Sequence, residues 1–536
     1  MTHGMVSAPQ PEAVEAGLDI LKSGGNVVDA AIGAALVQTA VDPQMCGIAG
    51  FGSMHLYLAD KGVHTVIDFH GRAPLASKPD MWQGLIVREC DDGFGFVLKG
   101  EVNEVGYQSM TTPMTLKAFD EAAKRFGTRS LSELFQPAIA YCEDGFPVRP
   151  SVHGFWTRGA ENGRIARIRG LTDCHATAKI YVKPDGSLFD VGESFRNPDM
   201  AATYRRLAEY GAQDFYEGEI AQRIDADMRA NGGLIRMEDL TSCATVETEP
   251  LWTTYRGYRV ATNQPPGGGL MIVVMLNILE NFDLAAMGHN SPDYIATVSE
   301  AMKIATVDKD TRMGDPNFFD IPMEELTSKE YAARMADRIK RGEKSDVPRL
   351  NQGGAESKET THICVADRAG NCVTMTHSLG SSSGVVTDGL GFMYNNCMMV
   401  FDPRPGRAGS LAPGKARFTA LSPTMVFKDD KPFFIVGSPG GTTITMGNLL
   451  AILNVVDFGM NAQEAVYAPR FITTSNTIEL TNRILRSTER ELQARGYPTK
   501  RHGQSYMSPI VHAIRFIDGN LDGGADPSGD GLAAEI

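Results

Sequence analysis

Two alternating runs near position 360 bring a file of hydroxyls to one face. Successive strand residues point to opposite sides, so Thr360, His362 and Cys364 share a face of the run through Asp367. Thr374, Thr376 and Ser378 share a face of the run Cys372 to Leu379, and Arg368-Ala-Gly-Asn371 turns one run into the other as a hairpin. Such a row serves equally well as ordinary cross-strand pairing. The preceding stretch, Glu343 to Glu359, opens a second use. It is polar and charged, with Val347 and Leu350 its only large apolar residues, and reads as a surface linker or as a segment ending at a processing site. If the Glu359–Thr360 bond were cut, Thr360 would carry a free α-amine beside its own hydroxyl. An α-amine titrates near pH ~8 and is partly neutral at pH 7, so one residue would supply nucleophile and general base together.

Other chemistries find less footing. Gly437-Ser-Pro-Gly-Gly441 follows one strand and precedes a helix, but Pro439 removes an N–H from the turn that a nucleophilic serine of the G-x-S-x-G type needs. The better reading is a bend whose N–H groups at Gly440 and Gly441 form an anion or oxyanion cradle. The eleven histidines give no H-E-x-x-H and the eight cysteines no C-x-x-C, so neither a metal site nor a disulfide framework is expected. Gly47-Ile-Ala-Gly-Phe-Gly52 precedes a β-rich run, not a helix, and no G-x-x-x-x-G-K-[ST] occurs. No cofactor is expected.

The elements that would hold these groups follow from periodicity. Apolar residues recur at helical spacing from Pro11 to Val41, with a break at Gly24-Gly25; Thr112 to Phe126, Leu131 to Cys142, Leu270 to Leu279, Ser291 to Asp308, Ser328 to Arg341 and Asn448 to Val456 also read as helices. Ser53 to Phe69 alternates as a hairpin, and Pro423 to Val426 with Phe433 to Val436 forms another around Lys428-Asp-Asp-Lys431. At 536 residues, 42% hydrophobic and 22% charged, the chain can bury a large core without staples. Its net charge of −14 argues against nucleic acid and anionic membrane surfaces as partners. The longest uncharged stretch, Pro432 to Val456, is broken by Pro439 and Gly440-Gly441 and reads as core, not a membrane span. Met1 to Gln10 lacks a basic segment followed by an apolar one, and a cytoplasmic location is expected.

In their order along the chain, several short motifs resemble the γ-glutamyltranspeptidases, self-processing members of the N-terminal nucleophile (Ntn) hydrolases. They are Gly24-Gly-Asn-Val-Val-Asp-Ala-Ala31, Asp68-Phe69 with Arg72-Ala-Pro74, Asn277-Ile-Leu-Glu-Asn-Phe-Asp283 and Gly314-Asp-Pro316. The second half adds Glu356-Ser to Thr360-Thr361-His362, Ser422-Pro-Thr424, Gly437-Ser-Pro-Gly-Gly441 and Ala468-Pro-Arg-Phe471. The resemblance implies an α+β fold, a four-layer αββα sandwich of Ntn-hydrolase type, built jointly by a large fragment, residues 1–359, and a small one, 360–536. It implies cleavage at Glu359–Thr360, Thr360 as nucleophile, Ser378 in contact with it, and Gly440 with Gly441 as oxyanion hole. The expected partners are a small-molecule amide and the two fragments as a heterodimer, with pairing of two heterodimers left open.

The departures concern the head-group pocket. Where the family grips a glutamyl α-carboxylate with an arginine and two serines, this chain has His70, with Arg72 two residues on, and Thr419-Ala420. Where the family binds the α-ammonium through asparagine, glutamine and aspartate, this chain has Gly380, Cys397 and Val400, with Asp402 nearby but displaced. An unpartnered buried ammonium costs several kcal/mol. The resemblance therefore implies an amidohydrolase for an acyl group lacking an α-amine, akin to oxamate amidohydrolase or the glutaryl-type acylases. His70, Arg72 and Arg417 are the candidates for reading a carboxylate on that group. Two alternatives stand: a γ-glutamyl hydrolase or transpeptidase in which Asp402 takes the ammonium, and a catalytically silent binding protein.

Overall fold

Gly24 and Asn26 show how local chemistry sets the first elements. The chain is described by a computed structural model covering residues 2–91, 93–348 and 360–536. The periodic stretch at the start forms two helices, Pro11–Lys22 and Val27–Val41, separated by Gly24 at φ +90°. Asn26 caps the second, its side chain accepting from the N–H groups of Val28 and Asp29 while Asp29 accepts from the Asn26 N–H. Every residue of Val27–Val41 is buried, as an apolar sequence without a polar face requires.

The strands assemble into two principal sheets. The larger has seven strands in the order Leu532–Glu535, Gly4–Ala8, Thr361–Asp367, Cys372–Ser378, Phe51–Leu58, Val63–Phe69, Val246–Thr248, with every neighbouring pair antiparallel. The second has six antiparallel strands in the order Asn520–Ala525, His512–Ile517, Lys431–Gly437, Thr424–Lys428, Tyr258–Thr262, Leu251–Tyr255. Each sheet thus takes strands from both sides of position 360. Their inner faces meet in a core in which Cys364, Ala366 and Cys372 pack against Met425, Phe427, Ile435 and Ile514. Pro11–Lys22, Val27–Val41 and Thr115–Phe126 cover the outer face of the larger sheet. Gly269–Leu279 and Ile444–Val456 cover the other sheet, backed by Pro292–Arg312 and Lys329–Lys340. The result is the four-layer αββα sandwich.

Boundaries move where the sequence carries no stop. The expected helix Asn448 to Val456 begins at Ile444, fed by a short turn Gly441–Thr443. Ser291 to Asp308 runs on to Arg312, and Leu131 to Cys142 reaches Asp144 despite Pro137 inside it. Among the described residues no helix is long and apolar enough to cross a membrane.

Candidate active site

Register decides what stands beside Thr360. The hairpin pairs His362 with Thr376 and Cys364 with Thr374, which carries Thr360 opposite Ser378. Their hydroxyl oxygens are 3.1 Å apart in a buried setting, and Thr360 is 8% exposed. Ser378 Oγ also accepts the Gly380 N–H at 2.8 Å, so Ser378 is held from the turn that follows its strand. Gly380 has φ +70°, and a Cβ there would meet Asn396 Oδ1 at 2.3 Å. No side chain fits this position, which can offer a site only backbone.

Behind Thr360, on the helix-facing side of the sheet, a buried amide network fixes the next residue. Thr361 Oγ1 accepts from Gln38 Nε2 at 3.0 Å and Gln10 Nε2 at 3.1 Å. Gln38 Nε2 also donates to the His362 carbonyl at 3.2 Å, and Gln38 Oε1 is 2.8 Å from His377 Nε2. Sequence reasoning passed over this pair, although the Gln38 amide inside the mostly apolar Val27–Val41 was an available signal. His362 itself is tied to Thr376 Oγ1 at 2.8 Å and Thr374 Oγ1 at 3.0 Å. Burial above all, then His512 and His377, holds it well below the usual imidazole range, and a Cβ at Gly437 would fall 2.0 Å from its ring. It braces the two sheets as a neutral group.

The bend after Lys431–Gly437 behaves as its glycines demand. Gly440 has φ +144° and Gly441 φ +56°, and the Gly440 carbonyl accepts both the N–H and the hydroxyl of Thr443. A Cβ at Gly440 would meet Ser508 Oγ at 2.7 Å and Pro509 Cβ at 2.9 Å. Gly441 faces the same small cavity as Thr360, at the foot of the helix Ile444–Val456.

That cavity, about 30 Å³, is also lined by Ser378, Gly380, Cys397, Val400, Thr419 and Ala420, with Phe51, Phe94 and Arg417 closing it. Phe51 pairs directly with Ser378 across the strands. Phe94 arrives on the hairpin Ile86–Glu89 and Phe96–Leu98, whose apolar side packs with Trp82, Met398 and Phe401. The Arg417 guanidinium carbon lies over the Phe51 ring at 4.7 Å and the Phe94 ring at 5.8 Å.

The other expected pocket residues stand off the cavity wall. Gly440 lies one residue behind it. His70 is buried, its N–H donating to Asp68 Oδ1 at 2.9 Å. Burial, then Arg417 and Arg72, keeps its imidazole neutral, far below its usual range. Burial also pushes the Asp68 carboxyl up to about 7, against the His70 N–H and Arg72. Arg72 points toward Asp315, 3.9 Å away, and lines a separate surface cleft with Thr112 and Asp239. Asp402 is engaged bidentately by Arg404 at 2.9 and 2.8 Å and does not line the cavity. Glu359 lies outside the described residues. Among the described residues no cluster of three or more His, Cys, Asp or Glu could hold a metal ion.

Comparison with known proteins places this arrangement. A model of the gamma-glutamyltranspeptidase family matches residues 13–536. The acylase ACY 1 proenzyme of Pseudomonas sp. (strain V22) is 37% identical over 542 residues, covering 100% of this chain and 94% of its own length. The glutathione hydrolase proenzyme of Escherichia coli (strain K12) is 34% identical over 492 residues, covering 88% of this chain and 80% of its own. Among solved structures, cephalosporin acylase from Bacillus halodurans aligns with a TM-score of 0.87 at 28% identity, over 99% of this chain and 96% of that one. Gamma-glutamyltranspeptidase from Helicobacter pylori gives a TM-score of 0.55 at 29% identity, over 62% of this chain and 90% of its own. With both sequence and fold matched along nearly its whole length, the chain belongs to the gamma-glutamyltranspeptidase family and is an acylase-like Ntn-hydrolase enzyme.

Proposed function

We propose that this enzyme cuts itself between Glu359 and Thr360, and that fragments 1–359 and 360–536 together hydrolyse the amide of a small, carboxylate-bearing acyl group that lacks an α-amine. The observation that carries the reading is the Thr360–Ser378 hydroxyl pair, 3.1 Å apart, in a cavity shared with Gly441.

In the precursor, Thr360 Oγ1 adds to the carbonyl carbon of residue 359. The C–N bond breaks as its nitrogen takes the hydroxyl proton, leaving an ester on Oγ1 and a free Thr360 amine, and water then splits the ester into the carboxylate of residue 359 and the Thr360 hydroxyl. In turnover the same amine accepts the Oγ1 proton as the oxygen adds to the substrate carbonyl. On this reading the oxyanion forms against backbone N–H groups of the Gly440-Gly441 turn, whose glycine conformations are already in place. The leaving amine carries off the proton, and water hydrolyses the Thr360 ester. Ser378 hydrogen-bonds Thr360 Oγ1 and steadies it throughout.

The head-group end supports an acyl group without an ammonium. No carboxylate lines the cavity among the described residues, and Gly380, Cys397 and Val400 occupy the wall. An ammonium placed there would lose water without gaining a carboxylate partner, at a cost of about 1–3 kcal/mol or more. The two relatives are an acylase and a glutathione hydrolase, and Asp402, the residue a γ-glutamyl reading would need, is already committed to Arg404.

Intact mass tests the core of the proposal. Wild-type protein should resolve into two fragments with a new N-terminus at Thr360, while Thr360→Ala stays whole. A wild-type chain that remains at 58.0 kDa after prolonged incubation overturns self-cleavage. Turnover of glutathione comparable to that of simple acyl amides overturns the choice of acyl group.

A further inference from the structure

We propose that Arg417 is the residue that selects the substrate, holding a carboxylate at the far end of a short acyl chain whose carbonyl lies at Thr360. The inference rests on the reading of Thr360 as nucleophile and adds the residue that recognises the remainder of the acyl group: the substrates are monoamides of short dicarboxylic acids.

His70, Arg72 and Arg417 are the three candidates for this task, and their settings differ. Arg72 has a side chain 30% exposed, points toward Asp315, and opens onto a different cleft. His70 is buried off the cavity wall and stays uncharged, held there by burial and by the two arginines on either side. Arg417 is 7% exposed and lines the same cavity as Thr360, Ser378 and Gly441. It is the cation the fold delivers to the reaction cavity.

Its placement is prepared on both sides. The Ala416 N–H donates to Asp315 Oδ2 at 2.8 Å, and the backbone there bridges to Arg72. Two residues beyond, the Thr419 N–H donates to the Pro266 carbonyl at 2.9 Å. Between these pins the guanidinium lies over Phe51, the residue paired with Ser378, and near Phe94. An arginine stacked on aromatic faces presents its N–H fork edgewise, the geometry that matches a carboxylate with two parallel hydrogen bonds. Because the stack fixes the fork in advance, little side-chain entropy is lost on binding. His70, held neutral by burial, adds no charge of its own beside Arg417.

The test uses processed enzyme and the p-nitroanilides of succinic and glutaric acid, each against its methyl ester. The readout is the ratio of kcat/KM for acid over ester. Wild type should favour the acid, and Arg417→Met should lower that ratio by about a hundredfold, as truncating one partner of a buried charge pair does. Arg417→Lys should recover part of it, and Arg72→Met, the rival assignment, should keep the preference. A processed Arg417→Met enzyme with an unchanged ratio overturns the proposal, as does a wild type indifferent to the ester. Calorimetric binding of free glutarate and succinate adds a measure that needs no turnover: wild type should bind them and Arg417→Met should not. Absence of binding to wild type overturns the proposal even if Arg417→Met does not fold. Failure of the Thr360 reading shows separately, as a precursor that is never cut and no acyl adduct in the mass spectrum.

Discussion

The two ends of the reaction cavity are built from different materials. At the Thr360 end, position comes from backbone: strand register sets Thr360 opposite Ser378, the Gly380 N–H holds Ser378 Oγ, and glycine conformations at 440 and 441 shape the adjoining turn. At the Arg417 end, position comes from side chains: Phe94, Arg417 and Thr419 come from loops and meet Phe51 at the start of its strand, with Asp68, His70 and Asp315 behind them. Register cannot shift by one residue without turning every hydroxyl to the other face. A loop side chain can be exchanged at the cost of its own contacts alone.

Substitutions at the first end should therefore hit rate, beginning with the largest loss. Thr360→Ala removes nucleophile and processing together; activity should fall by about 10⁴-fold or more, and an uncut chain that still turns over substrate would place the chemistry elsewhere. Gly440→Ala should lower kcat by about 10²–10³-fold, because its Cβ drives against Ser508 and Pro509 and turns an oxyanion donor away. Helix content by circular dichroism should stay unchanged, and an unaltered kcat would remove the cradle from the mechanism. Ser378→Ala should cost about 10–100-fold, with self-cleavage slowed to a similar degree. Ser378→Thr, which keeps the hydroxyl, should restore most of it. If both variants cleave at the wild-type rate, the 3.1 Å contact is packing and no more.

Much of the first end was legible in the sequence because its signals are local. The alternation from Thr360 to Ser378 fixes a shared face, and Gly440-Gly441 marks a turn no other residue can make. The hairpin Leu251–Tyr255 with Tyr258–Thr262 went unread, since its strands are short and only partly buried. The second end was named but not resolved. His70, Arg72 and Arg417 look alike as a list of basic residues, and their separation depends on contacts between residues a hundred or more positions apart. Asp315 with Ala416, Phe94 with Arg417, and Arg72 with Ala416 are such pairs. Gln10 and Gln38 were missed for the same reason, since an amide inside an apolar helix announces burial but not its partner on another strand.

The smallest effect concerns the electrostatics of the second end and is read in stability. Burial raises the Asp68 carboxyl to about 7, whereas in the unfolded chain it titrates near its ordinary value of ~3.9. Between those values the folded protein keeps a proton that the unfolded chain has released. The contribution of this group to stability is therefore fully present below pH ~4, declines as pH rises from ~4 to ~7, and is gone above that. Asp68→Asn stays neutral throughout and should flatten this decline. Between pH 5 and pH 8 the wild type should lose on the order of 2 kcal/mol relative to the variant, measured as the difference in urea midpoints at the two pH values. Parallel behaviour of the two proteins would mean that Asp68 is ionised in the fold. The second end would then carry its own negative charge beside His70 and Arg72, and the contrast with the backbone-built end would rest on geometry alone.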